Sequence, residues 1–221
     1  MTVDEVVDEL RTLGNPKVRA MSHRQGVGDH QFGVQMGQLR AIAKRIKVDH
    51  PLALSLWETG IFEAMLLSTL LMSPKQICHD DVDRMMAGVP TSQVADWFIS
   101  YVIKLHPSKE ALRTKWMQSE QAMCARAGWS LTTERVSKNP EGLDLSGLLD
   151  RIEREMGSAP EVSQWTMNFC LAEIGIKYPE HRERAILIGE TLGVYRDFPT
   201  SKGCTSPFAP TWINAIVNRQ S

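Results

Sequence analysis

Two stretches of this 221-residue chain restate one helix-turn-helix plan. They are Trp57-Glu-Thr-Gly-Ile-Phe-Glu-Ala-Met-Leu-Leu67 and Trp116-Met-Gln-Ser-Glu-Gln-Ala-Met-Cys-Ala-Arg-Ala-Gly-Trp129. Each puts a Trp near the end of one helix, then an acidic or amide residue and Ala-Met early in the next. A helix of about a dozen residues cannot bury its apolar stripe alone, and stacked antiparallel pairs solve that problem. Recurrence of one two-helix plan therefore points to an array of helical repeats, a superhelix with a concave surface.

The rest of the chain fits such an array. Thr2-Val-Asp-Glu5 has the form of a capping box opening a helix that stops at Gly14. Asn15-Pro16 starts a short helix toward His23, and the three glycines between Gly26 and Gly33 mark a loop. Leu39, Ile42, Ala43 and Ile46 recur at helical spacing, Pro51 to Trp57 reads as a short helix, and Ile61 to Met72 is apolar nearly all round. An all-round apolar helix belongs between neighbours. Further helices are predicted over Asp80–Met86, Ser92–Leu105, Ser108–Met117, Ser119–Arg135, Leu145–Met156, Pro160–Ile174 and Pro179–Leu192. No segment alternates like a strand. Tyr195 to Trp212 is rich in turn formers and hydroxyls. The expectation is a single domain over 1–221, in which 194–221 is an irregular extension packing on the array and ending in a short helix from Pro210.

No stretch approaches the roughly 18 apolar residues of a membrane span. The acidic N-terminus is neither a secretion signal nor a transit peptide. Cys78, Cys124, Cys170 and Cys204 lie far apart without metal-ligand spacing, and read as reduced, buried thiols of a cytoplasmic protein. No nucleotide loop, zinc motif or Ser-His-Asp order emerges, so neither a cofactor nor a metal is expected. Net charge is −1, yet Arg40, Lys44, Arg45 and Lys47 share one helix while Lys104, Lys109, Arg113 and Lys115 form a second cluster. A near-neutral protein can carry a basic face, and such clusters are also common on solvated helices.

Several residues carry candidate chemistry. Asp96 sits beside Trp97, with Tyr101 one turn later. An acid beside two aromatics suits a purine ring, and aromatics at this spacing are also common core residues. Trp165 and Phe169 repeat the spacing with Asn168 beside them, open to the same two readings. Arg126 stands in an otherwise apolar helix and requires an anion: a phosphate, Asp96, or a structural pair with Glu120 or Glu134. Lys202-Gly-Cys-Thr-Ser206 could present N–H groups and hydroxyls to an anion, or form a structural turn.

Gln31-Phe-Gly-Val-Gln-Met-Gly-Gln-Leu-Arg-Ala-Ile-Ala-Lys-Arg45, Leu52 to Ala64, Arg126-Ala-Gly-Trp129 and Trp165 through Gly175 resemble the AlkD family of HEAT-like-repeat DNA glycosylases. The resemblance spans most of residues 1–192. It implies a HEAT-like solenoid with a basic concave groove that binds duplex DNA, alkylated or structured. Active members of that family excise cationic alkylpurines such as 3-methyladenine and 7-methylguanine without drawing the base into a pocket. An aspartate stabilises the developing sugar cation and two tryptophans flank it.

In this chain the family's Trp-Asp-x-x-Asp pattern aligns as Ala95, Asp96 and, at the catalytic acid, Ile99. The second tryptophan falls on Phe169. A two-residue shift brings Trp97 to the first aromatic position and Tyr101 to the acid. Ile99 cannot stabilise a cation. The leading expectation is therefore a divergent DNA-binding member with weak or no base excision. Arg126, Arg40, Lys44, Lys104 and Arg113 would meet phosphates, and Trp97, Trp165 and Phe169 would line the groove. The alternatives are an active alkylpurine glycosylase using Asp96 as its catalytic acid, and a protein-binding helical scaffold.

Overall fold

The computed structural model describes residues 1–220, which form thirteen α-helices and no β-strand. They are α1 (Val3–Thr12), α2 (Pro16–Arg24), α3 (Met36–Ile46), α4 (His50–Glu58), α5 (Phe62–Leu71), α6 (His79–Ala87), α7 (Ser92–Tyr101), α8 (Lys109–Trp116), α9 (Ala122–Lys138), α10 (Leu145–Glu155), α11 (Glu161–Lys177), α12 (Pro179–Leu192) and α13 (Ala209–Gln220). Two short 3-10 turns, Ile103–Leu105 and Met156–Ser158, follow α7 and α10. The chain divides into two compact units, Met1–Lys109 and Glu110 onward. No helix among the described residues is long and apolar enough to cross a membrane.

Local chemistry sets most boundaries. Thr2 and Glu5 form the expected capping box: Glu5 N–H donates to the Thr2 hydroxyl at 3.2 Å and Thr2 N–H to the Glu5 carboxylate at 2.8 Å. Asn15 and Asp49 cap α2 and α4 through their side-chain oxygens. The helix expected over Ser92–Leu105 instead stops at Tyr101 and tightens into the 3-10 turn. The expected last short helix is twelve residues long, begins at Ala209 and buries Ile213, while 194–208 is irregular.

In the first unit α4 and α5 run antiparallel: Asp49 N–H meets the Leu71 carbonyl at 3.0 Å, and the Ser68 hydroxyl meets the Ala53 carbonyl at 2.6 Å. Nearly every side chain of α5 is buried, as its all-round apolar sequence requires. Its one acid, Glu63, is also buried. The Glu63 carboxylate accepts from the backbone N–H groups of Phe32 at 3.0 Å, Gly33 at 2.7 Å and Val34 at 3.1 Å. A carboxylate inside a core is tolerated only with such partners. Glu63 thereby fixes the segment entering α3 beside the start of α5, so these two helices begin on the same side. Gly33 within that segment has φ +82°, and a Cβ there would lie 2.5 Å from the Asn15 carbonyl oxygen, so no other residue fits.

The second unit repeats the scheme. Ser163 donates to the Ala122 carbonyl at 3.0 Å, and the Tyr178 hydroxyl donates to the Val136 carbonyl at 2.7 Å. Helices α9 and α11 are therefore parallel. α13 continues the row, with the Asn168 amide donating to Pro207 O at 2.8 Å and Phe169 against Trp212 at 4.6 Å. Small residues let the backbones approach. A Cβ on Gly128 would lie 2.7 Å from the backbone of Trp116 and Met117, and one on Gly175 would lie 2.5 Å from Ile213 Cδ1.

Two cysteine expectations are corrected. Cys124 and Cys170 are buried, but Cys78 and Cys204 are exposed. Cys78 caps α6, its sulfur accepting from Asp81 N–H at 3.4 Å, and a cap sits at the surface. Cys204 lies in the irregular tail. All four are free thiols. Burial pushes the Cys170 thiol up to about 12.

Candidate nucleic-acid interface

In the first unit the candidates gather on the outward side of α7. Val94, Ala95, Phe98 and Ile99 form its buried stripe, and Phe98 packs on Trp57 at 4.9 Å. Helical geometry then turns Asp96, Trp97 and Tyr101 away from that core. Trp97 and Asp96 are half-buried, and Tyr101 is exposed. The two aromatic rings meet edge to face at 5.5 Å. The Arg40 guanidinium of α3 lies over the Trp97 ring at 5.0 Å. A cation over an indole face is an attractive pair that leaves the guanidinium N–H groups free to turn toward an anion. Lys44 is exposed one turn after Arg40, and Lys104 is half-buried in the 3-10 turn after α7.

In the second unit the candidates face a pocket. Trp165 and Phe169 of α11 touch at 5.3 Å, and Trp212 of α13 closes the wall. The segment from Phe198 to Pro207 forms a roof, and the space beneath it, open to solvent, is about 300 Å³. Tyr195 and Phe198 pack on Trp165 at 5.3 and 5.9 Å. Five aromatic rings, two of them from α11, thus cluster on one face of that helix. Burial raises the Tyr195 hydroxyl pKa, the Glu161 carboxylate pushes it the same way, and the positive charge of Arg126 pulls it down. Arg126 itself is buried and donates to the Val162 carbonyl at 2.7 Å, so its charge sits beneath the first turn of α11.

Arg113 is placed differently from the expectation. Its guanidinium donates to both Glu110 oxygens, at 2.6 and 3.1 Å, and Arg135 donates to the same carboxylate at 2.6 Å. The Arg113 side chain is only 16% exposed. It belongs to an ion network with Glu110 and Arg135, and its charge is met within that network. Burial pushes the Glu110 carboxyl up, but hydrogen bonds and attraction from Arg113 and Arg135 outweigh this and hold it below the usual range.

Tyr195, Phe198 and Trp212 were not among the expected site residues. Their signal was four aromatics, Tyr195, Phe198, Phe208 and Trp212, within an otherwise turn-rich tail. Lys202–Ser206, read as an anion loop or a turn, belongs to the roof. Among the described residues no three His, Cys, Asp or Glu side chains are grouped so as to hold a metal ion.

A sequence profile of the family described as DNA alkylation repair enzyme matches residues 6–191. The chain belongs to the DNA alkylation repair enzyme family. Two uncharacterized proteins match at full length: Lin0241 of Listeria innocua is 23% identical and Lmo0209 of Listeria monocytogenes is 24% identical, each over 99% of both chains. A solved structure described as "a new family of proteins related to the HEAT-like repeat DNA glycosylases with affinity for branched DNA structures" superposes with a TM-score of 0.81 at 25% identity, over 100% of this chain and 95% of that one. The helical array is therefore the HEAT-like fold of these proteins. In this DNA alkylation repair family member, Ala95 and Ile99, aligned above with the family's tryptophan and catalytic acid, are core residues at 0% and 1% exposure. The acid on the outward side of the helix is Asp96.

Proposed function

We propose that this protein binds branched DNA, using the Arg40–Trp97–Tyr101 face of α3 and α7. The observation that carries this reading is the guanidinium stacked 5.0 Å over an outward-facing indole, with Lys44 one turn away. Phosphates draw the cations, and splayed bases at a branch point offer ring faces that a perfect duplex hides. The related solved structure described as having affinity for branched DNA supports the choice of ligand. The test is titration of the protein with a four-way junction and with a matched duplex at several salt concentrations. Tighter junction binding that weakens with salt, and weakens further in Arg40→Ala and Trp97→Ala, is expected. Equal, salt-independent association with both DNAs would refute the reading.

A second reading is favoured by one observation: Asp96 projects from the outward side of α7 beside Trp97, while Ile99 is in the core. On this reading Asp96 stabilises the sugar cation during excision of an alkylated purine. Release of 3-methyladenine or 7-methylguanine from alkylated duplex DNA, abolished by Asp96→Asn, would establish it. Binding without release leaves the first reading in place.

A further inference from the structure

The roof over α11 has no role in either reading. It lies beyond residue 191, where the family match ends. We infer that the pocket beneath it receives one unpaired nucleobase of a bound DNA strand, an inference that rests on the DNA-binding reading above.

Size is the first argument. A pocket of about 300 Å³ is at the small end of ligand sites, which run roughly 300–1,000 Å³. It suits one or two fused rings, not an extended ligand. Shape and lining are the second. Trp165 and Phe169 are inclined at 43°, and Trp212 stands at 83° to Phe169, so the walls present both ring faces and ring edges. Such walls hold a flat π-system of any base sequence. A base also needs partners for its hydrogen-bonding edge. Among the described residues the hydroxyls of Ser201 and Thr205, both lining the pocket, make no hydrogen bond. The Ser206 oxygen accepts from Phe208 N–H at 3.2 Å, which leaves its proton to donate.

Charge is the third argument. A base arrives on a phosphodiester, and Lys202 is exposed on the roof itself. Arg126 lies close enough to act electrostatically on Tyr195, whose ring packs 5.3 Å from Trp165. Phe198, a roof residue that lines the pocket, is 43% exposed while resting on Trp165. An aromatic held half in water on the lining of an aromatic pocket is placed to stack on an entering ring. The roof is held at its far end, where the buried Asn168 amide donates to Pro207 O at 2.8 Å.

The test uses the full chain and a branched DNA with 2-aminopurine at an unpaired position, and it reads fluorescence together with binding anisotropy. Stacking in the pocket is expected to quench the probe. Phe198→Ala is expected to bind this DNA about tenfold more weakly, the scale of one base–aromatic stack, and to relieve the quenching, while Phe198→Tyr restores both. A second readout needs no pocket variant. In Cys78→Ser protein, where Cys204 is the exposed thiol, the branched DNA should slow maleimide modification of Cys204 at least tenfold, and a perfect duplex should not. Branched DNA bound with unchanged 2-aminopurine emission and unprotected Cys204 would overturn the inference and leave the binding reading standing. Absence of any branched-DNA binding would overturn both. Protection of Cys204 by micromolar dAMP alone would assign the pocket to a free nucleotide and overturn the strand-held base.

Discussion

The outward faces of α7 and α11 begin from the same sequence device, two aromatics one turn apart, and end as different objects. On α7, Trp97 packs on Tyr101 and meets one guanidinium from helix α3, and Tyr101 stays exposed. On α11, Trp165 and Phe169 meet a loop and a helix from the C-terminal end of the chain, and form the wall of a pocket. The first face is finished by a residue about sixty positions away, the second by a segment outside the family-matched residues. An i, i+4 aromatic pair therefore specifies a ring surface. What covers that surface decides whether it is a platform or a cavity.

The largest expected effect strikes the first face through its support. Glu63→Ala removes the carboxylate on which three backbone N–H groups converge. Leaving buried donors unpaired around a lost ionic acceptor should cost about 3–5 kcal/mol. Hydrogen exchange should then accelerate in α3 to α5 while α9 and α11 keep their protection. Uniform acceleration through both units would show that the two faces share one cooperative support, and the comparison would break.

Next in size is Trp97→Ala. It should weaken branched-DNA binding by about 1–3 kcal/mol, the scale of one aromatic stack. It should leave Cys204 protection at saturating DNA unchanged, since Trp97 belongs to the other face. Lys44→Ala should act more mildly, lowering binding evenly across sequences and reducing the salt slope by about 1. A loss of junction preference in the lysine variant would mean that charge, not stacking, does the discriminating.

The smallest effect concerns acid. Glu110 and Glu155, both in the second unit, are held below their usual range. For Glu155, burial pushes upward but Arg151 and Arg154 outweigh it. A carboxylate depressed on folding contributes stability above its unfolded pKa, near 4.5, and loses it as pH falls through the lower folded value. Both groups are partly exposed, so the contribution of each is well under about 1 kcal/mol. Glu110→Gln should flatten the decline of stability below about pH 4.5. A variant with the same acid profile as the parent would show that solvent screens the network completely.

Elements governed by neighbours in sequence were legible from the chain alone. The Thr2–Glu5 box, the almost fully buried α5 and the turn before α9 follow from caps and hydrophobic periodicity. The placement of Arg113 was not, because its partner Glu110 is three residues away on the same helix and competes with any phosphate; the sequence contains both outcomes. The alignment that put Ile99 at an acid position could not see which stripe of α7 is buried, and burial is decided by Trp57 and its neighbours. The pocket was legible only in its parts. The Trp165–Phe169 spacing and the Lys202–Ser206 turn are visible in the sequence, but nothing local says that the one covers the other.

The late position of α13 has a consequence for how the chain is made. Residues 178–208 are synthesised between the end of α11 and the start of α13. At about 5–20 residues per second the ribosome takes seconds to deliver them, and for that time the nascent chain holds Trp165 and Phe169 without their cover. A half-made array thus displays in full a sticky aromatic strip that the finished protein half-covers. Translation stalled within this window would hand chaperones or neighbouring chains an open binding face, and α13 closes that window.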